Sequence, residues 1–477
     1  MRASYRRTKI VFTIGPATAS EERLAALIKA GAGICRLNMA HAAHDWTREI
    51  VNRVRKVAAE QKRQVPIMMD VKGPEIRTGD LTEPIEDLRI GETFDFLTQG
   101  TLDNLEDGIR GVTVNYSKLN EDVEVGSTLL VDSGLVRMTI TEIREDRVRC
   151  EVAIPGPISN RRHVNLPGTY VRLPALTDKD KADIAVGLEL DLELYALSFV
   201  RSAEDLDTLR DHLRQHGSQA RIIAKIEDQS GISNLNDIIR ASNGMMVARG
   251  DLGIECPFED LPIIQRRAIK ACIQAKKPVI VATHMLESMI EQPLPTRAEV
   301  TDVANAVFER ADAVMLSGET TVGQYPVECV EAMARIAHKI EMAEPQGYRE
   351  ELPLRTPKSQ LLRSAAMLAQ DLKAGVMVFT RTGFLPEVLS ALRPSHCPIF
   401  AFTDNETLYR QMPLMWGIEP FLIDFETDSE ATILKAFELL KEHKRDWSVN
   451  DGDWMVVVTN VLGSSRMVDS IQMRCVE

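Results

Sequence analysis

The sequence contains no C-x-x-C pair; its seven cysteines, at 35, 150, 256, 272, 329, 397 and 475, are scattered. An odd, dispersed set reads as buried reduced thiols, not as a disulfide framework or a zinc site. No apolar run approaches the roughly 20 residues that a membrane helix needs. Near the N-terminus the apolar run Ile10–Ile14 is followed by Pro16, too short for the about 7–15 residues of a signal-peptide core. Positive charge is in deficit, with 57 Lys and Arg against 70 Asp and Glu, which argues against non-specific nucleic-acid binding. The expectation is a cytoplasmic protein with neither membrane nor nucleic acid as partner. If its ligand is anionic, the basic residues must be concentrated locally. There is no G-x-G-x-x-G turn, and no repeat at a period of about 20–50 residues beyond the alternation described next.

What is present is a rhythm. At roughly 100–200 residues per domain, a chain of this length holds several domains. Residues 1–74 alternate the apolar runs "TKIVFTIG", "GICRLNM" and "VPIMMDVKG" with amphipathic stretches. Continuous apolar strands between helices indicate a parallel sheet covered on both faces. Residues 75–171 break the rhythm: they hold no convincing helix and read as short alternating strands, a small inserted β domain. From 172 the rhythm resumes through "LYALSFV", "ARIIAKIE", "GMMVARGD", "KPVIVATH" and "DAVMLSGE". Three strands before the insertion and five after it make eight. The count favours an α/β fold of the (β/α)8 TIM-barrel type over residues 1–74 and 172–345. The alternative is an open doubly wound sheet. A Pro-rich, charged stretch around 345–358 reads as a linker, and 346–477 as a C-terminal α/β domain with four strands, near "GVMVFT", "CPIFAFT", "EPFLID" and "DWMVVVT".

In such barrels the active site lies at the carboxyl ends of the strands. Those ends carry Arg36 and Asn38, with His41 just beyond; Asp70 and Lys72; Ser198 and Arg201; Lys225 and Glu227; Arg249, Gly250 and Asp251; Thr283 and His284; Ser317 and Glu319. Charges converge from several strands on one rim, and buried charges must be paired or bind a ligand. Cations (Arg36, Lys72, Arg77, Lys225, Arg249, Arg201) mixed with carboxylates (Asp70, Glu227, Asp251, Glu319) suit a phosphorylated anion held with a hard cation. Magnesium takes one or two carboxylates plus phosphate oxygens and water; Glu227 and Asp251 end adjacent strands. Gly250 permits close backbone approach. The alternative is a network of salt bridges on the rim.

"DVKGPEIRTG" at 70–79, "KIED" at 225–228, "ARGDLGIE" at 248–255, "ATHMLESMI" at 282–290, "PTRAEVTDVANAV" at 295–307 and "DAVMLSGET" at 312–320 together resemble the pyruvate kinase family. The resemblance runs nearly end to end. It implies a barrel with a small β-barrel lid (75–171) and a C-terminal domain, and phosphoryl transfer from phosphoenolpyruvate to ADP, giving pyruvate and ATP. It implies that Lys225 and Arg36 contact the transferring phosphoryl group, and that Glu227 and Asp251 hold magnesium or manganese. Gly250, Asp251 and Thr283 would orient the substrate carboxylate. Thr283 and Ser317 would relay a proton to the enolate carbon, a step not assigned to Lys225. Asn38, His41, Arg77 and Arg162 would serve the nucleotide. Potassium would be held by Asn38, Asp70 and the backbone oxygen of Val71, in a homotetramer.

The chain departs from the family pattern at several points. Ala40 stands where a serine hydroxyl usually binds the monovalent ion, although Glu75 matches potassium-dependent members. His284 stands for a common glutamine and Ser133 for an aspartate. Arg161, Arg162 and His163 replace a lysine-lysine-glycine run. The loop Thr380, Thr382 and Gly383 resembles a sugar-phosphate effector site, but Leu385 replaces its terminal hydroxyl residue. An ordinary strand–helix turn is the other reading of that loop. Ala40, His284 and Ser133 also motivate a competing expectation, a catalytically weakened member acting as a metabolite-binding or regulatory protein. Another phosphoenolpyruvate-using barrel enzyme is a third.

Overall fold

Local chemistry sets the helix ends. Ser20 is extended and its hydroxyl accepts the Arg23 amide, opening the helix Glu21–Ala30; Gly31 closes it at φ 112°. A side chain at Gly31 would be strained in that left-handed backbone. Thr177 and Thr296 open their helices with reciprocal capping boxes, each satisfying two otherwise unpaired amides.

The computed structural model describes residues 5–343, 351–395, 397–443, 449–463 and 466–476. Strands β1 (Lys9–Thr13), β2 (Ile34–Asn38) and β3 (Ile67–Val71) come first. Strands β4 (Thr93–Leu97), β5 (Arg110–Thr113), β6 (Thr128–Val131), β7 (Val136–Ile143), β8 (Arg147–Ile154) and β9 (Val164–Asn165) form a separate sheet. Strands β10 (Leu194–Leu197), β11 (Arg221–Ile226), β12 (Gly244–Ala248), β13 (Val279–Ala282) and β14 (Ala313–Leu316) then return to the first three. Eight parallel strands close a barrel in the order β1-β14-β13-β12-β11-β10-β3-β2. Closure excludes the open doubly wound sheet. Val11, Ile34, Met68, Ile223, Met246 and Met315 fill the interior, and Leu414 from the C-terminal region joins that cluster.

The inserted sheet runs β5-β4-β8-β7-β6-β9. Its two ends meet at one seam: Thr78 bridges Val114 beside β5, and Arg77 bridges His163 beside β9. Thus the chain leaving β3 closes the curled sheet. Phe94, Phe96, Val112, Met138 and Ile140 form its own core. Two one-turn elements, Leu102–Asn104 and Leu119–Asp122, interrupt a region whose sequence suggested no helix.

The last sheet contains β15 (Gly375–Phe379), β16 (Ile399–Thr403), β17 (Ile418–Leu422), β18 (Trp454–Gly463) and β19 (Arg466–Cys475), in the order β17-β16-β15-β18-β19. The sequence reading gave only four of these. The fifth, β19, is antiparallel to β18 and lies on the sheet edge. Edge strands carry charge readily, so its Arg466, Asp469 and Arg474 mask the strand pattern. Of the expected linker, 344–350 fall outside the described residues; the next long helix, Pro357–Leu372, is capped by Thr356.

Candidate active site

The rim is built outward from β3. Asp70, 2 % exposed, is the last residue but one of that strand. Arg36, on neighbouring β2, donates from Nε to Asp70 Oδ2 at 2.6 Å and from a terminal nitrogen to Thr13 Oγ1 at 3.1 Å. Lys225, on β11, reaches the other oxygen: its Nζ is 3.0 Å from Asp70 Oδ1 and 2.6 Å from Ser198 Oγ. The same Nζ lies 3.0 Å from Glu227 Oε1. Glu227 Oε2 accepts the Phe199 amide at 2.7 Å.

The electrostatics of this cluster are uneven. Burial pushes the Asp70 carboxyl up, but Arg36 and Lys225 outweigh it and hold the group below the usual range. Burial opposes the charge on Lys225, yet Asp70 and Glu227 keep its pKa raised. Glu227 is pushed up to about 7, first by burial, then by Asp251 and Asp70, against the pull of Lys225. When Glu227 and Asp251 are both ionised, the cluster carries more negative charge than Lys225 satisfies, and the raised Glu227 pKa is the cost of that repulsion and of burial.

That surplus is the test of a divalent ion. Among the described residues no group of three His, Cys, Asp or Glu gathers as a metal site. Glu227 and Asp251 form a pair close enough to repel. Asp251 lies in the short helix Arg249–Glu255, and its carboxylate has no hydrogen-bonded or ion-paired partner among the described residues. Two carboxylates with open positions fit magnesium arriving with phosphate oxygens, and do not fit a metal that needs a full protein cage.

Thr283 and His284 follow β13 in consecutive left-handed conformations, φ 68° and 54°. Such backbone is strained for non-glycine residues and needs surrounding support. Support comes from Arg249, which donates to the Thr283 carbonyl at 2.6 Å and pairs with Asp302 at 2.6 Å. Thr283 Oγ1 accepts the Gly250 amide at 2.7 Å and donates to the Ala282 carbonyl at 2.6 Å. The atoms nearest a Cβ at Gly250 would be those of Thr283 and His284, at 3.5 and 3.7 Å. Nothing in the protein forbids a side chain there, so the glycine leaves room for a ligand. The Gly250 amide itself is already engaged by Thr283. Ser317 Oγ is buried without a partner.

The structure redistributes several rim charges. Arg249 is bound to the strand ends and Asp302, not turned over to an anion. Arg201, 5 % exposed, donates to the Val171 and Leu173 carbonyls at 2.6 and 2.7 Å, tying the chain returning from the inserted sheet to the barrel. Glu319 accepts the Leu286 and Ser317 amides at 3.0 and 2.7 Å, joining two loops. Lys72 lies 3.2 Å from Glu75.

Asn38 and Asp70 are register partners across β2 and β3, with Val71 next in the strand. Asn38 Oδ1 accepts the Ala40 amide at 3.2 Å. His41 is exposed. Arg77 and Arg162 share the seam of the inserted sheet, where the Thr78 amide donates to the Arg162 carbonyl at 2.9 Å. Arg77 pairs with Glu75 at 2.6 Å and Arg162 with Asp132 at 3.4 Å. Ser133 is exposed in a left-handed turn. His163 packs edge-on against Phe199, ring centroids 5.8 Å apart. Burial pushes the His163 imidazole down, against the attraction of Glu75 and Asp251. The sequence reading missed Phe199 and Thr13; no residue pattern marks a left-handed phenylalanine.

In the C-terminal region a cavity of about 430 Å³ is lined by Thr380, Thr382, Leu385, Arg381 and Lys358. Thr380 Oγ1 accepts the Gly383 amide at 3.0 Å. Gly383 itself sits at φ 86°, where glycine alone is unstrained.

Two family models match the chain: the pyruvate kinase barrel domain over residues 5–330 and the pyruvate kinase alpha/beta domain over 359–473. Pyruvate kinase isozyme G, chloroplastic, of Nicotiana tabacum is 40 % identical over 95 % of this chain and 80 % of its own length. A pyruvate kinase of Sporosarcina psychrophila is 40 % identical over 96 % of this chain and 78 % of its own. The crystal structure of a pyruvate kinase from Cryptosporidium parvum superposes with a TM-score of 0.93 at 34 % identity, covering 100 % of this chain and 97 % of that one.

Proposed function

The chain belongs to the pyruvate kinase family and is a phosphotransferase that moves a phosphoryl group from phosphoenolpyruvate to ADP; from that premise we propose the part each rim residue takes. From β11, Lys225 neutralises charge on the phosphoryl group in flight; Arg36 binds it from β2, with two strands between them. Catalysis of this kind is positioning plus charge stabilisation. The observation that carries the proposal is Asp70, which fixes both cations from its two oxygens. Their polar ends are thereby ordered before substrate arrives, so little reorganisation accompanies the reaction.

Glu227 and Asp251 would hold the divalent ion, magnesium or manganese. When bound, it supplies charge neutralisation for the phosphate and polarises the enolate oxygen. Thr283, with the Gly250 and Asp251 backbone, orients the substrate carboxylate. For the Gly250 amide to do so, its bond to Thr283 Oγ1 must be exchanged for one to substrate. The unpartnered Ser317 hydroxyl, with Thr283, supports a proton relay to the enolate carbon. Arg77, Arg162, Asn38 and His41 line the nucleotide side.

The monovalent ion belongs to the same proposal: Asn38, Asp70 and the Val71 carbonyl are its ligands, one hydroxyl short at Ala40. The cavity beside Thr380 and Thr382 is the effector site, weakened by the methyl groups of Leu385. A homotetramer and a cytoplasmic setting complete the reading. No described helix is long and apolar enough to cross a membrane, and the named plant relative is chloroplastic.

Pyruvate formation coupled to lactate dehydrogenase, with phosphoenolpyruvate, ADP and magnesium, tests the reading. Turnover is expected. No pyruvate, with or without potassium, overturns it.

A further inference from the structure

Phe199 is the odd residue of the rim. It follows β10, is only partly buried, and sits at φ 53°. A bulky side chain in left-handed backbone is strained. Strain of that kind persists where the surroundings over-determine it, and it collects at functional sites. Two contacts fix this residue. Its amide donates to Glu227 Oε2 at 2.7 Å. Its ring takes the edge of His163, at 5.8 Å between centroids and 67° between planes.

The second contact crosses between structural units. Phe199 belongs to the barrel. His163 belongs to the curled sheet, immediately before β9, and is held there by backbone bonds. It bridges Arg77 across the seam, and its carbonyl accepts the Asp132 amide at 2.9 Å. Any movement of the sheet carries His163 with Arg77 and Arg162. Glu227 has few other restraints: one oxygen meets Lys225, the other only the Phe199 amide. The aim of that carboxylate therefore depends on a strained backbone, and the backbone depends on a ring from the lid.

We infer that His163 is a positioning residue: when the lid is closed, its ring holds Phe199 so that the Phe199 amide orients Glu227 for the divalent ion. This rests on the reading of Glu227 as an ion ligand. Groups behind a metal ligand commonly set its affinity by 10–100-fold. Ion binding and lid closure are linked by this contact, so each strengthens the other.

The test uses the full chain with manganese as the probe, titrated directly by electron paramagnetic resonance without substrates. His163→Ala is expected to weaken manganese binding about tenfold with an unchanged melting temperature. His163→Phe, which keeps a ring and removes the imidazole nitrogens, is expected to restore binding to within about twofold. The same order should appear in the magnesium concentration that gives half-maximal velocity, while KM for ADP changes little. Unchanged manganese affinity in His163→Ala overturns the proposal. So does a His163→Phe variant as weak as His163→Ala, because the ring contact would then not be the cause. Failure of the underlying reading is distinct: Glu227→Gln would then leave manganese binding intact in the otherwise wild-type chain.

Discussion

Lys225 and Arg36 share one carboxylate: Asp70 takes Lys225 Nζ on Oδ1 at 3.0 Å and Arg36 Nε on Oδ2 at 2.6 Å. The two cations are thus set side by side although they arrive from β11 and β2. Removing Lys225 does not strand Asp70, which keeps Arg36. Nor does it strand Glu227, whose Oε2 keeps the Phe199 amide and whose charge the divalent ion can answer. Lys225→Met should therefore remain folded and bind manganese. Phosphoryl transfer should fall about 10³–10⁵-fold, by analogy with the loss of an arginine finger. The coupled assay and a melting curve check this together. Near-normal turnover would remove Lys225 from the mechanism.

Arg201 supports a different expectation. Its guanidinium satisfies the Val171 and Leu173 carbonyls where the chain re-enters the barrel. Arg201→Met keeps much of the apolar stem and removes both donors. Both carbonyls belong to partly buried residues, so each lost hydrogen bond costs about 0.5–1.5 kcal/mol. Denaturant unfolding should show a loss of that order. A variant as stable as the wild type would mean that Arg201 is not the strut described, and would reopen it as an anion contact.

These two residues also mark how far sequence can be read. The eight barrel strands were legible because apolar runs alternated with capped amphipathic helices, and Lys225, Asp70, Glu227 and Asp251 because their motifs sit at strand ends. Sequence could not tell which rim cations face a ligand. Arg36 and Arg249 are both arginines near a strand end, yet one meets Asp70 and the other Asp302 and a loop carbonyl. That choice depends on partners far away in the chain. The bond between Thr283 and Gly250 and the left-handed Phe199 were invisible for the same reason: both arise from tertiary packing. β19 was missed because an edge strand with charged positions lacks the apolar run that marked its neighbours.

Ala40 isolates one missing hydroxyl. Asn38 Oδ1 already accepts the Ala40 amide, so the loop keeps its shape without a side-chain oxygen at 40. The wild-type chain should respond shallowly to potassium. Ala40→Ser should tighten the potassium requirement about tenfold, equivalent to ~1.4 kcal/mol, with little change in kcat at saturating salt. Velocity measured against potassium chloride, with tetramethylammonium chloride holding ionic strength, reads this directly. Steep potassium activation in the wild type that Ala40→Ser leaves unaltered would contradict the assignment.

Glu255 gives a pH dependence that does not involve substrate. It ends the short helix after β12, is 8 % exposed, and accepts Asn165 Nδ2 of the lid at 2.7 Å. Burial raises its pKa to about 7, with Asp228 and Asp251 adding and Asn165 opposing. In the unfolded chain the same carboxyl titrates near the ordinary glutamate value. The folded state therefore holds a proton that the unfolded state has lost, over the window between about 4.5 and 7. In that window this group makes stability fall as pH rises, by up to about 1.4 kcal/mol per unit. Glu255→Gln keeps a side-chain oxygen for Asn165 and removes the titration. Its melting temperature should match the wild type near pH 5 and exceed it at pH 8, and the pH trend should flatten. A wild type and a Glu255→Gln variant with parallel melting profiles across that range would mean that Glu255 ionises at an ordinary pKa, and that burial at the lid junction imposes no such penalty.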